Sequence, residues 1–176
     1  FNSQLVDGQG DRAGLGRPQG MVIDPSDNIY VLNDGGYSPS TGRKVNVAIR
    51  KITPDGMVTT LAGGKESGHV DGLGTSARFY SLSGIAIDNE GNIYVSDNTE
   101  TTHNYIRKIT PGGHVTTLVG GVAGTAVDGV GSQARFGSVG DIVIDRIGNL
   151  YISDYYSVRK MTPQGVVTTY AGSRFS

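Results

Sequence analysis

The stretch that decides the fold runs DGLGTSARF (Asp71–Phe79), GIAID (Gly84–Asp88), GNIYVSD (Gly91–Asp97), IRKITP (Ile106–Pro111) and VTTLVGG (Val115–Gly121). Before it stand DGQGDRAGL (Asp7–Leu15), MVID (Met21–Asp24), NIYVLN (Asn28–Asn33), IRKITP (Ile49–Pro54) and VTTLAGG (Val58–Gly64). After it come DGVGSQARF (Asp128–Phe136), IVID (Ile142–Asp145), NLYISD (Asn149–Asp154), VRKMTP (Val158–Pro163) and VTTYAG (Val167–Gly172). A period of this length marks supersecondary units that bury their cores against neighbouring copies.

Each copy holds four short runs rich in Val, Ile, Thr and Tyr. Turn clusters such as Asn89-Glu90-Gly91-Asn92 and Pro111-Gly112-Gly113 separate them and read as hairpins. No ten-residue stretch has the three-and-four apolar spacing of a helix. The first run is apolar at successive positions (Ile85, Ala86, Ile87), which suits a strand buried on both faces. A four-stranded antiparallel unit buried on both sides must be sandwiched between copies of itself, and that is a propeller blade. The expected fold is therefore all-β: a β-propeller with four-stranded antiparallel blades, three in this chain, half of a six-bladed ring. The blades are placed at about 7–64, 71–121 and 128–172, with strands a to d running outward from the channel. Strands c and d, which mix Arg, Lys and Thr with Ile and Val, are expected nearer solvent.

The combination DGxGxxARF, GIAID, GNIYVSD, IRKITP and GxVTTLAG resembles the NHL repeat family of β-propellers over essentially the whole chain. The first copy departs with Ala13-Gly14-Leu15 and with Asn33, where the others have Ala-Arg-Phe and Asp97 or Asp154. The third has Asp141 in place of the glycine before the apolar run. Some NHL propellers bind RNA through a strongly basic face.

The 176 residues carry a net charge of -1, which argues against a broad nucleic-acid footprint. No run approaches a membrane span, so no membrane insertion is expected. Cysteine is absent, which excludes thiolate chemistry and Cys-ligated metal. The 28 glycines suit many tight turns, and the missing initiator Met suggests a processed chain or a segment of a longer one.

Function should lie where the copies differ. The repeats are offset by 64 and then 57 positions, and the difference falls between the second and third runs. Fifteen residues separate Asn33 from Ile49, eight separate Asp97 from Ile106, and three separate Asp154 from Val158. These b–c connections emerge beside the d–a connections around the channel mouth, and variable loops on a constant scaffold are where recognition is usually placed. The candidate ligand-binding residues are Tyr37, Arg43, Lys44, His103, Asn104, Tyr105, Tyr155 and Tyr156, with Asn46 and Glu100 in the same loops. Tyrosine with Asn, Ser and Gly suits a binding surface.

Charges present in every copy read as structural, for instance buried Arg–carboxylate pairs holding neighbouring blades in register. Arg50, Arg107 and Arg159 form one such set, and Arg78 and Arg135 another. Asp24, Asp88 and Asp145 could instead hold a channel ion, calcium or another divalent, in a lactonase-like hydrolase. His69, His103 and His114 fall in different connections and do not suit a three-His zinc site. The leading expectation is a non-catalytic recognition or scaffold module, extracellular or at the cell surface, that needs no cofactor and binds a protein, peptide or glycan. A metal-assisted hydrolase and a purely structural filament or adhesin element are the alternatives. Three blades leave two apolar end faces, so either two chains pair into a ring or further blades belong to a longer chain.

Overall fold

The computed structural model describes residues 5–99 and 103–172. The first blade comprises β1 (Gly8–Gln9), β2 (Pro18–Ile23), β3 (Ile29–Tyr37), β4 (Lys44–Ile52) and β5 (Met57–Gly63). The second comprises β6 (Gly72–Leu73), β7 (Leu82–Ile87), β8 (Ile93–Asn98), β9 (His103–Ile109) and β10 (His114–Val122). The third comprises β11 (Gly129–Val130), β12 (Val139–Ile144), β13 (Leu150–Asp154), β14 (Ser157–Met161) and β15 (Val166–Gly172). Each forms one antiparallel sheet, ordered β1-β5-β4-β3-β2 in the first blade and equivalently in the others. In chain order the last four strands of each blade are a, b, c and d.

The blades thus have five strands where four were expected. The extra one is built by the DGxG segment. Gly72 and Leu73 pair with Val115 and His114 on the outer edge of strand d, and the other two copies do the same. The chain then turns through a single 3-10 turn, Gly74–Ser76, which Gly74 enters at φ 55°. That left-handed conformation costs glycine nothing. The return leg is held by a Val70–Arg78 bridge and lowers Ala77 and Phe79 between the blades.

Two apolar clusters fill the interfaces. Tyr30, Leu32, Val47, Ile49 and Ala62 of blade 1 meet Phe79, Leu82, Ile85, Ile93, Val95 and Ile109 of blade 2. Ala86, Ile106 and Val119 of blade 2 meet Phe136, Val139, Ile142, Leu150 and Ile152 of blade 3. Burying side chains of this size contributes about 1.5–3 kcal/mol each. Strand c is not the solvent-facing layer that its Arg and Lys suggested, because Arg50, Arg107 and Arg159 are among the largest fully buried side chains. Their charge is answered inside the blade.

Consecutive antiparallel strands put the a–b and c–d turns on one face and the b–c and d–a connections on the other. The longest b–c connection is a hairpin extension in which Tyr37 pairs with Lys44 and residues 38–43 form the tip. In the third blade, Tyr155 and Tyr156 alone link β13 to β14.

Candidate recognition face

The buried arginines each bind the DGxG segment of their own repeat. Arg107 donates to Asp71 Oδ1 at 2.7 Å, to the Val70 carbonyl at 3.1 Å and to Asp97 Oδ2 at 2.7 Å. Arg159 repeats this with Asp128 at 2.9 Å and Asp154 at 3.1 Å. The pairs therefore tie strands b and c to the outer edge within one blade, where pairing between neighbouring blades was expected. Each guanidinium also lies over the phenylalanine of its ARF segment, Phe79 at 5.2 Å and Phe136 at 5.5 Å. Arg78 and Arg135 are exposed and lend the network only their carbonyls. In blade 1, Arg50 keeps Asp7 at 2.9 Å, while the sequence has Asn33 and Leu15 at the positions of the second carboxylate and the ring. The two departures of the first copy thus fall on one cluster.

Burial pushes the Asp97 carboxyl up to about 6, against the pull of Arg107 and of the Tyr80 and Ser81 amides. Asp71 moves the other way. Burial raises it, but hydrogen bonds from Thr117 and the charge of Arg107 outweigh that and hold it below the usual carboxylate value.

Asp24, Asp88 and Asp145 close the a–b turns. Asp88 Oδ1 accepts the Glu90 and Asn92 amides, and Oδ2 accepts Asn92 Nδ2 and the Tyr94 hydroxyl, all within 3.0 Å. Asp24 and Asp145 accept the corresponding four donors. A carboxylate has about four lone-pair sites, so these oxygens are already committed and do not fit the metal role. Among the described residues no three His, Asp or Glu side chains group as a metal site. Asp88 and Asp145 do share a cleft of about 570 Å³ between blades 2 and 3, with Glu90, Lys108 and Arg146 on its walls. It opens at the a–b turns, away from the b–c loops.

On the b–c face, Tyr37, Arg43, Tyr155 and Tyr156 are exposed. The Tyr155 and Tyr156 rings meet edge to face at 4.6 Å. Tyr155 sits at φ 48°, left-handed backbone that costs a bulky residue energy. Lys44 is engaged, with its ammonium 2.7 Å from both Asp34 and Ser81 of the next blade. Asn104 is buried, and its amide donates to the Phe136 and Gly137 carbonyls across the second interface. Tyr105 stacks at 3.8 Å on His69, a residue outside the eight predicted for the site, and at 5.8 Å on His103. His69 is anchored to Thr117 Oγ1 at 2.8 Å, and burial, with help from Arg107, lowers its pKa. Glu100 lies outside the described residues. The eight predicted residues thus divide into exposed tyrosines with Arg43, an aromatic stack, and two interface anchors.

No protein-family model matches the chain. Solved structures do. A structural genomics protein of unknown function from Bacteroides thetaiotaomicron aligns at a TM-score of 0.64 and 24% identity, over 89% of this chain and 35% of that one. A gluconolactonase from Xanthomonas campestris, described as important in glucose secondary metabolic pathways, aligns at 0.55 and 17% identity, over 89% of this chain and 47% of that one. A second gluconolactonase-type protein aligns at 0.55 and 14%, over 97% of this chain and 57% of that one. The fold is a β-propeller fold. At these identities the likeness concerns the fold alone, and the chain spans about a third to somewhat over half the length of these neighbours.

Proposed function

We propose that the chain belongs to an NHL-type propeller acting as a non-catalytic recognition or scaffold module outside the cell, and that its b–c face binds a protein, peptide or glycan. One observation carries the reading: Tyr37, Tyr155 and Tyr156 stand exposed on hairpins of different length, while the arginines common to all blades, Arg50, Arg107 and Arg159, are buried in ion pairs. Rigid aromatic side chains offer contact area at low entropic cost. The test is a panel of immobilised glycans and peptides probed with the chain and with a combined Tyr37→Ala, Tyr155→Ala, Tyr156→Ala variant. Binding should disappear with the melting temperature shifted by no more than a few degrees. Binding that survives the triple change contradicts the assignment.

A second reading is a lactone hydrolase assisted by a divalent ion, supported by the likeness to proteins named as gluconolactonases. Asp24, Asp88 and Asp145 are spent on turns, so its ion would need other ligands. Hydrolysis of a sugar lactone that stops on chelation and returns with added metal would favour this reading over the first.

A further inference from the structure

Three departures of the third copy from the other two converge on one wall. After the aspartate of its a–b turn it has Arg146 and Ile147, where blade 2 has Asn89 and Glu90 and blade 1 has Pro25 and Ser26. In strand c it has Met161, where the others have Ile109 and Ile52. All three side chains line the cleft of about 570 Å³ between blades 2 and 3, a volume suited to a small organic molecule. Both walls come from neighbouring blades of this chain, blade 2 on one side and blade 3 on the other.

The cleft is amphiphilic. Ile87 and Leu118 of blade 2 and Ile144 and Met161 of blade 3 make its apolar lining. Ile147 stands 77% exposed at the lip. Tyr94 is only half-buried there, whereas Tyr30, its counterpart at the first interface, is buried. Methionine adapts three torsions to what it meets, where the isoleucine of the other copies is stiff at χ1.

Its charges have both signs. The carboxylates of Asp88 and Asp145 are spent on their turns, and Glu90 Oε2 accepts Asn92 Nδ2 at 3.2 Å. Lys108 Nζ lies 5.7 Å from the centre of the Tyr94 ring. Neither Lys108 nor Arg146 has an ion pair among the described residues. A simple anion would meet three carboxylates in this cleft and a simple cation would meet Arg146 and Lys108. A molecule carrying both charges answers both sets.

We propose that this cleft binds a small apolar zwitterion, an apolar amino acid or short peptide. Its carboxylate lies toward Arg146 and Lys108, its ammonium toward Glu90, and its side chain on Ile144 and Met161. The site is on the a–b face, away from the b–c loops, and is independent of the recognition proposed for them.

Isotope labelling of the methionine methyl groups, read by NMR, tests this, because the chain has 3 methionines and of these Met161 alone lines the cleft. Leucine or leucyl-leucine should shift the Met161 methyl saturably below about 10 mM and leave Met21 and Met57 in place. The tighter of the two identifies the source as free amino acid or peptide. Isocaproate and isoamylamine, which each keep one of leucine's two charges, should bind at least about fivefold more weakly. Arg146→Gln and Glu90→Gln change exposed residues, so circular dichroism should show both folded, and each should weaken binding about threefold or more. No saturable shift of Met161 with either ligand overturns the proposal. So does an analogue of single charge that binds as well as leucine, or unchanged affinity in both variants.

Discussion

Asp97 and Arg107 meet at 2.7 Å with both side chains withdrawn from solvent, and Asp154 and Arg159 repeat the pair at 3.1 Å one blade later. The pair joins strand b to strand c, and the guanidinium continues to Asp71 on the outer edge. One side chain thus spans the blade from its second strand to its fifth. Blade 1 has lost half of this device, since Asn33 accepts the Arg17 amide at 3.0 Å and donates to the Asn46 carbonyl.

That arrangement bears on two substitutions at Asp97, to Asn and to Ala. Both leave Arg107 buried with one carboxylate, and Asp97→Asn, with Oδ1 still accepting the Tyr80 and Ser81 amides, also turns its Nδ2 donor toward the guanidinium. Asp97→Asn and Asp97→Ala should each cost about 3–5 kcal/mol. Urea unfolding of both variants checks this, and a loss below about 1 kcal/mol in either would contradict it.

Gly84→Ala should destabilise the arc by about 1–3 kcal/mol, because the new methyl overlaps the backbone of the next blade. Asp141→Ala, at the equivalent position of blade 3, which already carries a side chain, should cost about 1 kcal/mol or less, through its Oδ1 bond to the Ile142 amide. Differential scanning calorimetry of both variants distinguishes them.

Acid should unfold the protein with a particular shape. Hydrogen bonds outweigh burial at Asp24 and Asp88, hydrogen bonding from Asn149 leads at Asp145, and all three lie below the ordinary 3.8, as does Asp71. Their folded pKa values are depressed, so the stability they add is present above pH 3.8 and is lost as pH falls through the lower folded values. Asp97 has the opposite sign: raised to about 6, it contributes most below pH 3.8 and its contribution is lost as pH rises through 6. Denaturant titrations across this range should show a steep acid limb that Asp88→Asn flattens. They should also show a shallow decline towards pH 6 that Asp97→Asn removes. A profile unaltered by both changes would contradict the assignments.

Tyr155→Gly should raise the melting temperature, since glycine adopts φ 48° without the steric penalty a tyrosine bears, about 1–2 kcal/mol. Loss of ligand binding in the same variant would place the strain in service of recognition. A fall in melting temperature would show that the ring packing against Tyr156 outweighs it.

The repeat, the turn clusters and the apolar runs made the strands and their order legible, because β-prone runs and turn chemistry are local properties. The fifth strand was not. Its two residues, Gly72 and Leu73, carry no β-prone pattern and are strand only because the edge of β10 lies beside them. The partners of Arg107 were assigned to a neighbouring blade, although its burial in a carboxylate pair was expected, for a related reason: Asp71 and Asp97 are 36 and 10 positions away. In the candidate site, the exposure of Tyr155 and Tyr156 was legible from their place in the short b–c connection between Asp154 and Val158. The burial of Asn104 was not, because the carbonyls that hold it belong to the next blade.

The measurement that bears most directly on the functional account is calorimetric titration of the chain with calcium, magnesium and zinc after dialysis against chelator. If the shared carboxylates serve the turns and the variable loops serve recognition, no stoichiometric ion should bind and chelation should leave the melting temperature unchanged. An ion bound one per chain, whichever residues hold it, would contradict the account and make the hydrolase reading the better one.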